Sequence, residues 1–226
     1  MHLRRSFSDR RVAVIGSLAV LSLFVVAMIV VRIVYTRTPE HAGIAWNLVL
    51  AWIPFGLALV VYERARTGLL TPAWAGVGVL WLLFLPNAPY IVTDLKHVGS
   101  GDGVPVLYDV LLLSAAAWTG LLLGLTSLFL MHAVARRVVG AVSAWVLVVG
   151  ALALSSFGIY LGRVLRWNSW DVFVRPGALL STIANGALHP LSHPQPLALT
   201  VLLTSFLLVS YLVFYSLARM GSFISE

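Results

Sequence analysis

The sequence predicts an all-α protein, a polytopic bundle of about six membrane-spanning helices whose third span is broken by prolines. Three observations carry that prediction. Hydrophobic residues make up 60% of the 226 residues and charged residues 10%, with a mean hydropathy of +0.97, whereas soluble domains carry roughly a quarter charged residues. The apolar residues gather in runs close to the roughly 20 that a helix needs to cross a bilayer. The charges collect in the links between the runs. At this length the chain holds six or seven crossings and leaves no room for a separate soluble domain, so a single integral membrane domain over 1–226 is expected.

In chain order, Arg4, Arg5, Arg10 and Arg11 precede a first apolar run at about 12–31. The Arg-Arg-Ser-Phe start invites comparison with a twin-arginine export signal. The run is long for a signal and no small-x-small cleavage site succeeds it, so an uncleaved first span is expected, with Arg32 snorkelling to the interface at its far end. The second span covers about 44–62, kinked by Pro54, and returns through Glu63, Arg64 and Arg66. The third covers about 73–97 and is interrupted from Pro86 to Pro89. After a loop with Gly99, Gly101 and Gly103, the remaining spans are expected at about 106–131, 138–161 and 197–217. The apolar stretch 178–188, between Pro176 and Pro190, is too short to span and is expected to be interfacial or re-entrant.

Sidedness is set by the basic residues of short loops. Six spans place Arg4, Arg5, Arg10, Arg11, Arg64, Arg66, Arg136, Arg137 and Arg219 on one side, against Asp9, Glu63 and Glu226. The other side holds Arg32, Arg37, Lys96, Arg163, Arg166 and Arg175 against Glu40, Asp94, Asp102, Asp109 and Asp171. The richer side is cytoplasmic by this rule, with both termini on it. The net charge of +7 is then an orientation signal, and nucleic acid is not needed to explain it. With no cysteine in the chain, disulfides, thiolate metal sites and cysteine nucleophiles are excluded.

The interruption in the third span is where polar chemistry concentrates. Residues 73–85 rise about 20 Å against a hydrocarbon core of roughly 30 Å, which puts the break inside the outer leaflet. Each interior proline would cost about 3 kcal/mol in an unbroken helix. A helix that stops near Leu85 and restarts with Asn87 as N-cap and Pro89 in its first turn avoids that cost. It would also leave a helix N-terminus able to face an anion. On a second α-helix, Asn87, Tyr90, Asp94 and His97 fall three, four and three residues apart on one face, with Ile91, Leu95 and Val98 towards the other. The structural alternative is a proline-kinked helix in which Asn87 repairs freed carbonyls and Asp94 pairs with Lys96 or an arginine.

A second cluster ends the fifth span. If helical, it puts Tyr160, Arg163, Trp167, Trp170 and Asp171 on one face with Arg166 beside it. Such a cluster describes an ordinary membrane anchor, or guanidinium forks for phosphate. Asp109 is expected to pair with an outer arginine, and His132 to cap a helix end. His189 and His193 read as solvated, and the Gly120/Gly124 and Gly158/Gly162 pairs as close helix contacts. Asp94 and His97 make at most half of a zinc site, so no metal site is assigned, and no cofactor is identified. There is no Ser-His-Asp order, Walker loop or HExxH, so no reaction class is assigned and enzyme activity stays open.

Two stretches carry a resemblance: Phe84-Leu-Pro-Asn-Ala-Pro-Tyr-Ile-Val-Thr-Asp94 with His97, and Gly158-Ile-Tyr-Leu-Gly-Arg-Val-Leu-Arg-Trp-Asn-Ser-Trp-Asp171. Through them the chain resembles the bacterial membrane family called domain of unknown function 1361. The resemblance implies a bacterial integral membrane protein and supplies no catalytic residues; with the spans above, a multi-pass protein of the bacterial cytoplasmic (inner) membrane is expected. From the residues alone, three functions are expected in order. The first is an outer-face site for an anionic lipid headgroup or lipid-linked substrate, with Asp94 and His97 exchanging protons and Asn87, Tyr90, Arg163, Arg166, Trp167 and Asp171 binding it. The second is a small-solute transporter, and the third a non-catalytic scaffold or subunit.

Overall fold

A computed structural model describes residues 2–39, 41–99, 103–167, 174–178, 181 and 194–223. They form α1 (His2–Thr36), α2 (Ala42–Arg66), α3 (Trp74–Phe84), α4 (Asn87–Tyr90), a 3₁₀ segment (Ile91–His97), α5 (Val106–Val138), α6 (Ala141–Arg163) and α7 (Pro194–Phe223). Among the described residues, six segments are long and apolar enough to cross a membrane: Arg11–Thr36, Ala42–Arg66, Trp74–Lys96, Val106–Val138, Ala141–Arg163 and Leu197–Met220. The chain is therefore a multi-pass all-α membrane protein, with the spans in the expected number and order. Its helices are apolar on every side, and residues such as Val142, 81% exposed, present to lipid what a soluble protein would bury.

Several helices run past their expected ends: α1 reaches Thr36 against 31 and α2 reaches Arg66 against 62. α5 continues to Val138, past the expected end at 131, because the arginines that close an apolar run do not interrupt backbone hydrogen bonding. Val139 still donates to the Ala135 carbonyl at 2.8 Å. The reversal falls at Gly140, whose φ of 84° suits glycine, and α6 starts at Ala141. The segment expected at 178–188 lies mostly outside the described residues.

The fold groups into two compact units, one of Met1–Trp52 and Asn87–Gly124, the other of Ile53–Pro86 and Leu125–Glu226. In the first, Val25, Ile29, Leu48, Ala51, Ala88, Ile91, Leu112 and Ala116 form the core. Trp52 Nε1 donates to Ser22 Oγ at 3.1 Å across it. In the second, α6 lays Ala144, Val148, Ala151, Ser155 and Ile159, spaced by three and four, along its buried face. It packs along α7, as small residues allow. Trp81 Nε1 donates to Ser127 Oγ at 2.7 Å and Ser127 donates to the Pro54 carbonyl at 3.0 Å, so α3 and α5 are tied to the proline turn of α2.

Candidate functional site: a buried carboxylate after a broken helix

The third span breaks where the prolines predict. α3 stops at Phe84, Leu85 donates to the Trp81 carbonyl at 2.9 Å, and α4 starts at Asn87 with Pro89 in its only turn. Beyond Tyr90 the chain departs from expectation. It does not resume an α-helix but winds as a 3₁₀ helix from Ile91 to His97. The helical run that starts at Asn87 is thus one α turn followed directly by 3₁₀ winding.

The change of winding also changes the face. At three residues per turn, positions i and i+3 eclipse, which aligns Ile91, Asp94 and His97 in place of the stripe Asn87, Tyr90, Asp94 and His97. Ile91 is accordingly buried beside Asp94, not turned away from it, while Leu95 and Lys96 are exposed. Thr93 Oγ1 donates to the Tyr90 carbonyl at 2.6 Å, closing the first 3₁₀ turn.

Asp94 is 5% exposed. A carboxylate in an apolar surrounding needs donors, and Asn47 of α2 supplies one, its Nδ2 donating to Asp94 Oδ2 at 3.1 Å. Sequence reasoning missed Asn47. The signal was present, since it is the lone carboxamide in the apolar run 44–62 and an intramembrane amide calls for a polar partner. His41, just before α2, is also buried in this unit.

Glycines set how closely the broken segment is held. A Cβ at Gly120 of α5 would stand 2.4 Å from the Ala88 carbonyl oxygen, and one at Gly124 would meet the Ala88 Cβ at 3.2 Å. In the second unit, a Cβ at Gly158 of α6 would stand 2.7 Å from Pro86 Cγ. The expected close-packing role holds for all three, and Gly158 brings the proline stretch and the arginine-tryptophan stretch into contact at Pro86.

Arg32 corrects a further expectation. It does not snorkel but lies buried, its Nε 2.8 Å from Asp109 Oδ1 and its Nη2 3.3 Å from Oδ2, with the side chains 1% and 2% exposed. This fork is the geometry in which a guanidinium best matches a carboxylate. Asp109 thus has the arginine partner expected of it. Tyr108 donates to the Met28 carbonyl at 2.6 Å, adding a second tie between α5 and α1.

The second cluster sits differently from the helical face expected of it. α6 ends at Arg163, which is half-buried, and the chain then leaves the helix. Arg166 is exposed at φ 59°, and Trp167 donates its backbone N-H to the Leu161 carbonyl at 3.1 Å. Trp167 therefore does not continue a helical face with Tyr160 and Arg163. Trp170 and Asp171 lie outside the described residues, as do His189, His193 and the side chain of His97. Among the described residues, no group of three His, Asp or Glu is arranged to hold a metal.

His132 does not cap a helix end. It is 2% exposed inside α5, with its Nδ1 2.7 Å from the Tyr211 hydroxyl of α7 and its ring among Trp145, Tyr211 and Tyr215.

A family model described as Protein of unknown function (DUF1361) matches residues 46–214, which include both the proline stretch and the arginine-tryptophan stretch. No curated protein and no solved structure matches the chain.

Proposed function

The chain belongs to the DUF1361 family, a membership that brings no activity with it, and we propose from its residues that it binds or processes an anionic lipid headgroup or lipid-linked substrate at the outer face of a bacterial cytoplasmic membrane. The observation that carries this reading is the burial of Asp94, held by Asn47, in a non-α segment of an otherwise apolar span. An acid in an apolar span is costly to bury, and intramembrane ionisable residues are by default candidates for functional sites. Asp94 and His97, three residues apart in the chain, are the pair that would exchange a proton. Asn87 and Tyr90 offer hydrogen bonds to the substrate. Arg163 and Arg166 offer forks for phosphate, with Trp167 and Asp171 next to them in the chain.

The test is lipid analysis of the protein purified in mild detergent, with thermal melting as the fold control. Asp94→Ala and Arg163→Ala should each remain folded and lose the phospholipid or lipid-linked species that accompanies the wild type. Two folded variants with the wild-type lipid complement would end this reading.

The glycine contacts favour a second one. Gly120 and Gly158 are used to seat Ala88 and Pro86, as they would be in a scaffold or subunit whose motifs serve packing. Under that reading every motif substitution lowers stability and a stoichiometric partner co-purifies.

A further inference from the structure

We propose that Arg136, Arg219 and the Tyr215 hydroxyl form a binding site for the phosphate of an anionic phospholipid, where α5 and α7 end. This site is separate from the reading above and stands without it. Arg136 Nη1 donates to the Tyr215 hydroxyl oxygen at 2.6 Å, and Arg219 Nη1 donates to the same oxygen at 3.2 Å. The Arg219 guanidinium also lies 5.4 Å from the centre of the Tyr215 ring. Two like charges thus converge on one neutral oxygen, and among the described residues Arg136 has no carboxylate partner. A phosphate oxygen bridging the two forks would replace their repulsion with charge-assisted hydrogen bonds.

The platform under this pair is built. The Tyr215 ring stacks on His132 at 5.3 Å and 28°, and Trp145 meets it edge-on at 5.2 Å. His132 in turn is fixed by the Tyr211 hydroxyl, and both are buried. The phenol oxygen is therefore held in place before any ligand arrives, while both guanidiniums are exposed at the surface. Preorganised groups of this kind lose little entropy on binding.

The same unit points to lipid over a free ion. Arg137 lies over the Tyr62 ring at 5.9 Å and Arg64 over the Trp74 ring at 5.5 Å. Guanidiniums resting on aromatic faces at helix ends are what a headgroup layer selects. Basic pockets between helix ends on the cytoplasmic side hold anionic headgroups, and the charge count assigns this end to the cytoplasm.

The experiment uses the full chain in nanodiscs, with short-chain phosphatidylglycerol as probe, phosphatidylcholine as reference and inorganic phosphate as competitor. The wild type should prefer phosphatidylglycerol by tenfold or more. The double variant Arg136→Gln with Arg219→Gln should lose that preference, and Arg66→Gln should keep it. Tyr215→Phe, which retains both charges and the ring, should weaken the preference several-fold and decides the matter if the double variant fails to fold. A preference that survives the double variant, survives Tyr215→Phe undiminished, or falls equally in Arg66→Gln overturns the site. Competition by millimolar inorganic phosphate overturns its assignment to lipid.

Discussion

Removing one member of the Arg32 and Asp109 pair should destabilise the fold far more than removing both. Asp109→Ala leaves a guanidinium in a place that is 1% exposed, and breaking a buried pair in this way costs about 3–5 kcal/mol. For a chain of this size, with roughly 2–4 °C per kcal/mol, melting in detergent should fall by about 6–20 °C. The double variant Arg32→Met with Asp109→Leu removes both desolvation costs and fills the space with apolar atoms. Such replacements of buried pairs are neutral or stabilising by about 1–4 kcal/mol, so the double variant should melt near the wild type or above it. The assay is a double-mutant cycle by thermal unfolding, with Arg66→Gln as control. Arg66 reaches Glu63 only at 3.8 Å and is 39% exposed, so its loss should cost under about 1 kcal/mol. A single variant no worse than that control, or a double variant as poor as the two singles combined, would refute the account of this pair.

Gly120→Ala forces a methyl to 2.4 Å from the Ala88 carbonyl and should cost about 1–3 kcal/mol by overpacking. Gly150→Ala in α6 meets nothing within 4 Å and should stabilise by about 0.5–1 kcal/mol through helix propensity, both read from melting curves. Asn47→Ala takes away the donor at 3.1 Å from Asp94 and should cost about 1–3 kcal/mol, with Asn47→Ala and Asp94→Asn non-additive in a stability cycle. Ser127→Ala strands the Trp81 indole N-H, which donates to Ser127 at 2.7 Å, and should cost about 1–3 kcal/mol with altered Trp81 fluorescence.

The membrane spans are legible in the sequence because length and apolar runs answer to a single physical demand, the thickness of the hydrocarbon layer. The break at Pro86 is legible because proline lacks an amide hydrogen. The winding after Tyr90 is not, since a 3₁₀ segment carries no residue pattern of its own and is set by what it packs against. Its alignment of Ile91 with Asp94 comes from that winding and not from the α spacing. Arg32 reads as an interfacial residue because it ends an apolar run, and its partner Asp109 lies 77 residues away. Long-range pairing of that kind is fixed by tertiary contact, which local spacing does not encode. Asn47 stands out in the sequence as the lone amide of an apolar run, but that it partners Asp94 is fixed by tertiary contact.

The fork between Arg32 and Asp109 bears on how the chain assembles. α1 reaches the bilayer long before α5 is made, so its guanidinium must wait for its counter-ion while the intervening spans insert. The first helix is for that reason a structural partner of the fourth span. A chain trimmed before residue 41 would strand Asp109 without its cation, and the missing helix would be felt in the middle of the sequence.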